Sequence, residues 1–380
     1  MPGLSRTAVA GLIVGLCFAF PARAELSPQQ VGELLAAATE ATGQAKLTYA
    51  SATAPAPGTI NFSDVKVVDS DGKGGNVAIP LVVLTGVAER SPGGFTAERI
   101  TFDNGTAVAR NLTTTWTTAV MDDVVVPSAD EIKARSPARV FATLNVGKGQ
   151  VAGLSAPVDF AGIEVAISDV IPQQPGTMEL KAAGVRIPTS LLSETVAGAV
   201  ISMLRYDEFL TDITMRSTYD PVTDIGTLDI LQANVPSVGS ITLAGKASAF
   251  AIAEIMSADA EVAKQARAAA RLSNFSVRLD NAGFVERMLD MQAEMLGGTR
   301  DDVRTALVGG ALPFALSFIK DQAFRQQFQT EVSAFLEDPK SLTIAAKPPE
   351  PVPLGQVIRS LTRAPSSLPD LLSPTVKANQ

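Results

Sequence analysis

The sequence predicts an α+β fold: one large, curved, mainly antiparallel β-sheet with an N-terminal helix and a C-terminal helical group. Three observations lead there. Residues from about 46 to 252 alternate apolar and polar side chains in short runs between turn signals, the rhythm of half-buried strands. A phrase recurs among them: Gly58-Thr59-Ile60-Asn61-Phe62, Gly176-Thr177-Met178-Glu179-Leu180 and Gly226-Thr227-Leu228-Asp229-Ile230, with Gly239-Ser240-Ile241-Thr242-Leu243 as a looser copy. From about 253 to 340 the apolar spacing changes mostly to that of helices.

In chain order, Ser27 is an N-cap candidate, Pro28 suits the first helical position, and Val31, Leu34, Leu35 and Ala38 share one stripe. Gly43 ends that helix. Two turn signals divide the strands that follow. Asp71-Gly72-Lys73-Gly74-Gly75 is one; Asn104-Gly105, with strand-like runs on both sides, reads as a tight hairpin. Helical breaks are expected at 128–134 and at about 189–205. Each Gly-Thr copy also changes phase downstream: Ile60 and Phe62 give way to Val65 and Val67, Leu180 to Val185, Ile230 to Val235. An odd step of this kind flips the buried face unless a bulge absorbs it, and repeated bulges bend a sheet.

The last third begins with an alanine- and charge-rich helical stretch, 253–271, and a strand over 272–279. Asp280 then caps a helix running to about Leu296, Gly297-Gly298 stops it, and Thr299 starts a second. A third ends near Asp338-Pro339 before a returning strand, 341–346. The resulting expectation is a single β-rich domain over 25–347, with its β core at 46–252 and a helical excursion at 253–340. The Pro-rich tail, 348–380, reads as an extended arm with one short helix at 354–362.

Composition narrows function. The chain has no histidine and one cysteine, Cys17, so the usual proton shuttles, thiol nucleophiles and soft metal ligands are missing. Cys17 lies in a leader: Arg6 gives the positive start, Ala8 to Phe20 the short apolar run, and Ala22-Arg23-Ala24 the small residues before a cut after Ala24. Losing Arg6 and Arg23 takes the formal charge from −8 to −10. An acidic chain repels phosphate backbones, which argues against nucleic acid as a partner and against electrostatic docking on anionic lipid. No later apolar run is long enough to span a membrane after that cut. The leader and alanine-rich composition predict a periplasmic address.

No catalytic, cofactor or metal constellation emerges. Ser63-Asp64-Val65-Lys66 matches Ser-X-X-Lys, but in a strand residues three apart face opposite ways. Asp69-Ser70-Asp71-Gly72 starts like a calcium loop, yet Lys73 and Pro80 stand where ligands belong. Asp122-Asp123 reads as solvated acids, and Trp116, set among threonines, as packing. Phe314 with Phe318, and Phe324 with Phe328, read as rings that close one end of the core rather than as a partner-touching face. The residues expected to line an apolar groove or core are Ile60, Phe62, Met178, Leu180, Leu228, Ile230, Phe314 and Phe318.

The leader followed by Leu26-Ser27-Pro28-Gln29-Gln30, the Gly-Thr phrases, Thr218-Tyr219-Asp220-Pro221, Leu279-Asp280-Asn281-Ala282-Gly283, and Phe335-Leu336-Glu337-Asp338-Pro339 ahead of Pro348 to Pro353 carry a resemblance. In these the chain resembles β-rich periplasmic envelope proteins of alphaproteobacteria and, distantly, AsmA-like β-groove proteins. The resemblance implies a curved sheet with an apolar lining, and lipid handling in the envelope; it brings no catalytic residues. The expected function is therefore non-enzymatic: an exported protein holding a lipid or other apolar ligand in a sheet groove. The alternative is an envelope adaptor acting through protein–protein contacts.

Overall fold

The computed structural model describes residues 26–43, 45–70, 75–134, 140–168, 174, 176–193, 196–251 and 260–380. The leader, and four residues of the first turn signal (71–74), lie outside that set. Helix α1 (Pro28–Ala41) starts as the sequence predicts. Ser27 accepts a hydrogen bond from the Gln30 amide, and the Gln30 side chain answers on the Ser27 amide.

The chain then folds as an antiparallel meander in one sheet of 21 strands among the described residues. β1 (Ala45–Thr48) and β2 (Ser51–Ala56) lie along β3 (Thr59–Asp69), which pairs with β4 (Asn76–Thr85). After the short β5 (Ala88–Glu89), β6 (Phe95–Asp103) continues as β7 (Thr106–Ala109), and both lie against β4. The chain returns as β8 (Leu112–Trp116) and β9 (Thr118–Val126). The next two rows are β10 (Thr143–Val146) with β11 (Gly149–Ala152), then β12 (Val158–Phe160) with β13 (Gly162–Ile167). Long single strands follow: β14 (Gly176–Pro188), β15 (Glu208–Asp220), β16 (Ile225–Val235), β17 (Gly239–Ser248) and β18 (Arg271–Asn281). β19 (Ser341–Ala346), β20 (Val352–Pro353) and β21 (Pro374–Ala378) complete it. The helical excursion thus leaves the sheet at β18 and returns beside it.

One expected phase change, that from Leu180 to Val185, takes physical form as a bulge. In β14 the register slips between Ala182 and Val185, and the Gly184 amide bonds the Asp212 carboxylate at 2.9 Å. In β16 the slip falls at Asp229 and Ile230. Asp64 and Asp123 adopt positive φ where their strands change face. A bulge inserts an unpaired residue, bends its strand and raises the local twist.

Register shows the organising feature of the sheet. Residues directly opposite on neighbouring strands point to the same side. Followed across every row, Ile60, Leu84, Ile100, Met121, Leu144, Val165, Leu180, Met215, Leu231, Leu243, Val277, Ile344 and Val376 form one unbroken file. A parallel file two residues along runs from Phe62 to Ala378 through Phe102, Ile163, Ile213 and Leu279. The other face is polar and cross-linked. Arg99 and Thr143 both donate to Asp122 (2.8 and 3.1 Å), and Gln232 donates to Thr242 at 3.2 Å.

Three expectations need correcting. Asn104-Gly105 is not a hairpin tip: β6–β7 and β8–β9 form one long hairpin that reverses at Arg110-Asn111. Gly105 lets the Trp116 ring lie on the backbone, since a Cβ there would sit 1.9 Å from the ring. The helix after β18 has Gly283, not Asp280, at its N-cap position, with Asn281 accepting from the Val285 amide. The segment after Lys347 is no loose arm. The expected short helix is there, at Leu354–Arg363, but a second at Leu368–Leu372 and β21 against β19 follow it, with Val357, Leu372 and Val376 buried.

Candidate functional site

The apolar stripe is roofed at both ends and open between them. At the N-terminal end, Val31 and Ala38 of α1, with Ile132 of α2 (Ala129–Lys133), pack on Ile60, Phe62, Leu84, Phe95 and Ile100. Phe62 is 1 % exposed and Leu84 0 %. At the other end, Leu279, Leu342 and Ala378 lie under Val285, Leu289, Val303 and Phe335 of the helical excursion. Leu272, Phe275 and Ala346 lie under Leu354, Val357, Leu368 and Leu372 of the C-terminal segment. In between, β13 to β17 keep their apolar side chains half-exposed.

Two hollows sit on this face where the roof begins. The first holds about 480 Å³ between Leu272, Phe275, Ile344 and Ala346 of the sheet and Val357, Leu361, Leu368 and Leu372 above them, with Ile319 and Phe324 at one side. All of its lining residues are apolar. The second, about 360 Å³, lies over Met178, Met215, Leu228 and Gly245, and Phe275 and Leu272 belong to both. Tyr219 and Phe250 wall its far end, the Tyr219 hydroxyl donating to Asp224 at 2.8 Å. Glycine makes this room: Gly245 stands opposite Phe275, and a Cβ at Gly226 would strike the Phe250 ring.

The residues singled out from sequence divide accordingly. Met178 and Leu228 line the second hollow, and Leu180 stands on the same face between Val165 and Met215. Ile60 and Phe62 share that face but are core, sealed under α1. Ile230 does not belong: the bulge turns it to the polar side opposite Arg216, and Leu231 takes its place in the file. Phe314 and Phe318 do not close the core. They are 70 % and 64 % exposed and stack edge to face on each other. Sequence reasoning missed Leu272, Phe275, Ile344 and the 354–372 cover. Their signal was the spacing Leu354, Val357, Leu361 in a segment whose prolines suggested a tail.

Elsewhere the polar candidates are spent on structure. Ser63 pairs with Ser51 hydroxyl to hydroxyl at 2.8 Å, and no helix brings Lys66 beside it. Asp69 accepts the Gly75 amide at 2.8 Å. A shallow polar trough near Trp116 and Phe160 has Gln150 donating to Asp159 at 2.7 Å. Arg90 grips Glu131 through two hydrogen bonds of 2.7 and 2.8 Å and, with the Ser128 amide, holds that carboxyl down at a pKa of about 2. This pair ties α2 to the loop before β6 and touches neither hollow. Among the described residues no group of three acids or other ligating side chains could hold a metal ion, and no helix is long and apolar enough to cross a membrane.

A family described only as "Uncharacterized protein" matches residues 232–379. That span holds β17 to β21, the helices from 284 to 337 and the C-terminal cover, and so all of the first hollow's lining residues. Among curated proteins nothing matches the chain.

Proposed function

We propose that the protein is a non-enzymatic, exported envelope protein of the periplasm that holds a lipid or other long apolar chain on the open part of its sheet. One observation carries the reading: a cavity of about 480 Å³ with no polar side chain in its walls, continued along the sheet by a second, mostly apolar hollow that Ser217, Thr218 and Lys246 also line. Such a site offers an alkyl chain burial at about 0.8 kcal/mol per methylene, before the costs of ordering the chain. It offers a reacting group nothing, because no acid, base or nucleophile enters the cavity. The volume falls within the usual range for small-ligand sites. Export rests on the leader read at residues 1–24.

An adaptor with a fully packed sheet is the competing reading. The half-exposed stripe over β13 to β17 speaks for the ligand instead. Native mass spectrometry of protein purified from its host tests the choice. The expected result is a mass excess that organic solvent releases as a fatty acid or lipid. A clean apo mass, with no uptake of a fluorescent fatty acid, overturns the proposal.

A further inference from the structure

The helix Leu354–Arg363 is only half seated. Leu354, Val357, Ile358 and Leu361 form one stripe at helical spacing, and Val357 is buried. Ile358 and Leu361, on the same stripe, are 61 % and 60 % exposed. Leu361 also lines the first hollow, so the cavity reaches the surface beside it. On the other side of that opening Ile319 is a wall residue, and Phe318 next to it stacks on Phe314 with ring centroids 5.6 Å apart. The mouth is therefore flanked by two exposed apolar patches on separate helical segments.

The charges around this mouth run against the rest of the molecule. The chain is formally −8, yet between the exposed Glu350 and Asp370, the latter beside the wall residue Pro369, the only charges are those of Arg359 and Arg363. Both arginines and Lys320 are exposed and pair with no carboxylate among the described residues. Asp321, next to Lys320 in sequence, accepts the Phe324 amide at 3.0 Å as a helix cap. Apolar side chains ringed by cations on amphipathic helices are what an anionic bilayer surface attracts. A second copy of this chain would bring like charges together across the same patch.

We infer that Phe314, Phe318 and Ile358, with Lys320, Arg359 and Arg363, form a docking surface for an anionic membrane, placing the cavity mouth against the lipid. The purpose given to this surface rests on the ligand reading above; its geometry does not. The test is vesicle flotation of the purified protein, with phosphatidylcholine alone or with phosphatidylglycerol added. Fatty-acid binding is measured in parallel without vesicles. The protein should float with the anionic vesicles and lose that association as salt rises. Phe314→Ser/Phe318→Ser and Arg359→Glu/Arg363→Glu should each cut it at least tenfold while fatty-acid binding holds and the protein still unfolds cooperatively.

Flotation unchanged in both variants, or absent in the parent protein, overturns the inference. So does loss of self-association in place of vesicle binding, which would make the patch a contact between copies. Flotation that responds as expected without any fatty-acid uptake keeps the docking surface and removes the ligand.

Discussion

At the N-terminal end of the sheet Ile60, Phe62 and Leu84 are sealed beneath α1, while further along the same face Met178, Leu180, Met215 and Leu228 stay half-exposed. The residue types and the register are alike in both regions; only the presence of a covering helix differs. Apolar alternation therefore specifies which side of a strand avoids water, not what covers that side. In the first region the cover is part of the chain and the result is a core. In the second no helix among the described residues covers the stripe, and a ligand has room to do so. Stability and binding are thus expected to separate along one continuous surface.

The largest effect tests that separation directly. Phe62→Ala should cost about 3–5 kcal/mol, since a fully buried ring leaves a cavity behind. Met178→Ala, at a site 37 % exposed, should cost less than about 1 kcal/mol. Urea unfolding of both variants gives the two values. Equal losses would mean that the middle of the sheet is packed as tightly as its end, and the comparison would fail.

Next in size is the effect of a ligand. A fatty acid at a hundred times its dissociation constant should stabilise the fold by roughly 2.7 kcal/mol, read as a rise in melting temperature. Ile344→Asp places a carboxylate in the apolar wall, at a residue already 36 % exposed, and should remove that rise. A rise that survives the substitution would put the ligand elsewhere.

How much of this could be read beforehand follows from the same physics. Strand starts were legible: β3 opens at Thr59, β14 at Gly176 and β17 at Gly239, where the repeated phrase places them. Bulges were legible in part: the step from Leu180 to Val185 spans one, whereas β3 changes face at Asp64 without a slip against β4 and the β16 slip lies ahead of the expected step. The Asn104-Gly105 reading failed because that glycine serves the Trp116 ring, a contact with the next row that local turn chemistry does not encode. The extended-arm reading of the tail failed because proline content alone does not separate a loose arm from capped helices and an edge strand. Pro353 instead stands at the N-cap position of one helix, Pro369 lies in the first turn of another, and Pro374 opens the edge strand β21. Ile230 was misplaced by one residue, the width of a bulge. The hollow itself was out of reach, since it depends on how residues 272, 344 and 361 meet in space.

A smaller effect concerns the sealed end. Glu131 titrates near 2 in the folded protein, held down chiefly by Arg90 and then by the Ser128 amide. A carboxyl whose folded pKa lies below its unfolded value stabilises the fold above the unfolded pKa and loses that contribution as pH falls through the folded one. Acid unfolding between about pH 4.5 and 2 should therefore be eased in Glu131→Gln relative to the parent at the upper edge of that window, the difference vanishing at its lower edge. A constant difference across the window would mean that the pair acts through packing and not through charge.

The smallest expected change sits where sequence and structure disagree most. Four-residue spacing of Phe314 and Phe318 suggested rings that plug the core, yet both are more than half-exposed and touch chiefly each other. Rings buried in a core would each cost about 3–5 kcal/mol on truncation. Rings left outside should tolerate Phe314→Ser and Phe318→Ser within roughly 0.5 kcal/mol apiece, apart from their mutual stacking of about 0.5–1.5 kcal/mol. A double-mutant cycle in urea separates the two terms. Losses of several kcal/mol for either single variant would return these rings to the core and take away the apolar half of the docking surface. Near-neutral variants leave them free to meet a surface that the chain itself does not supply.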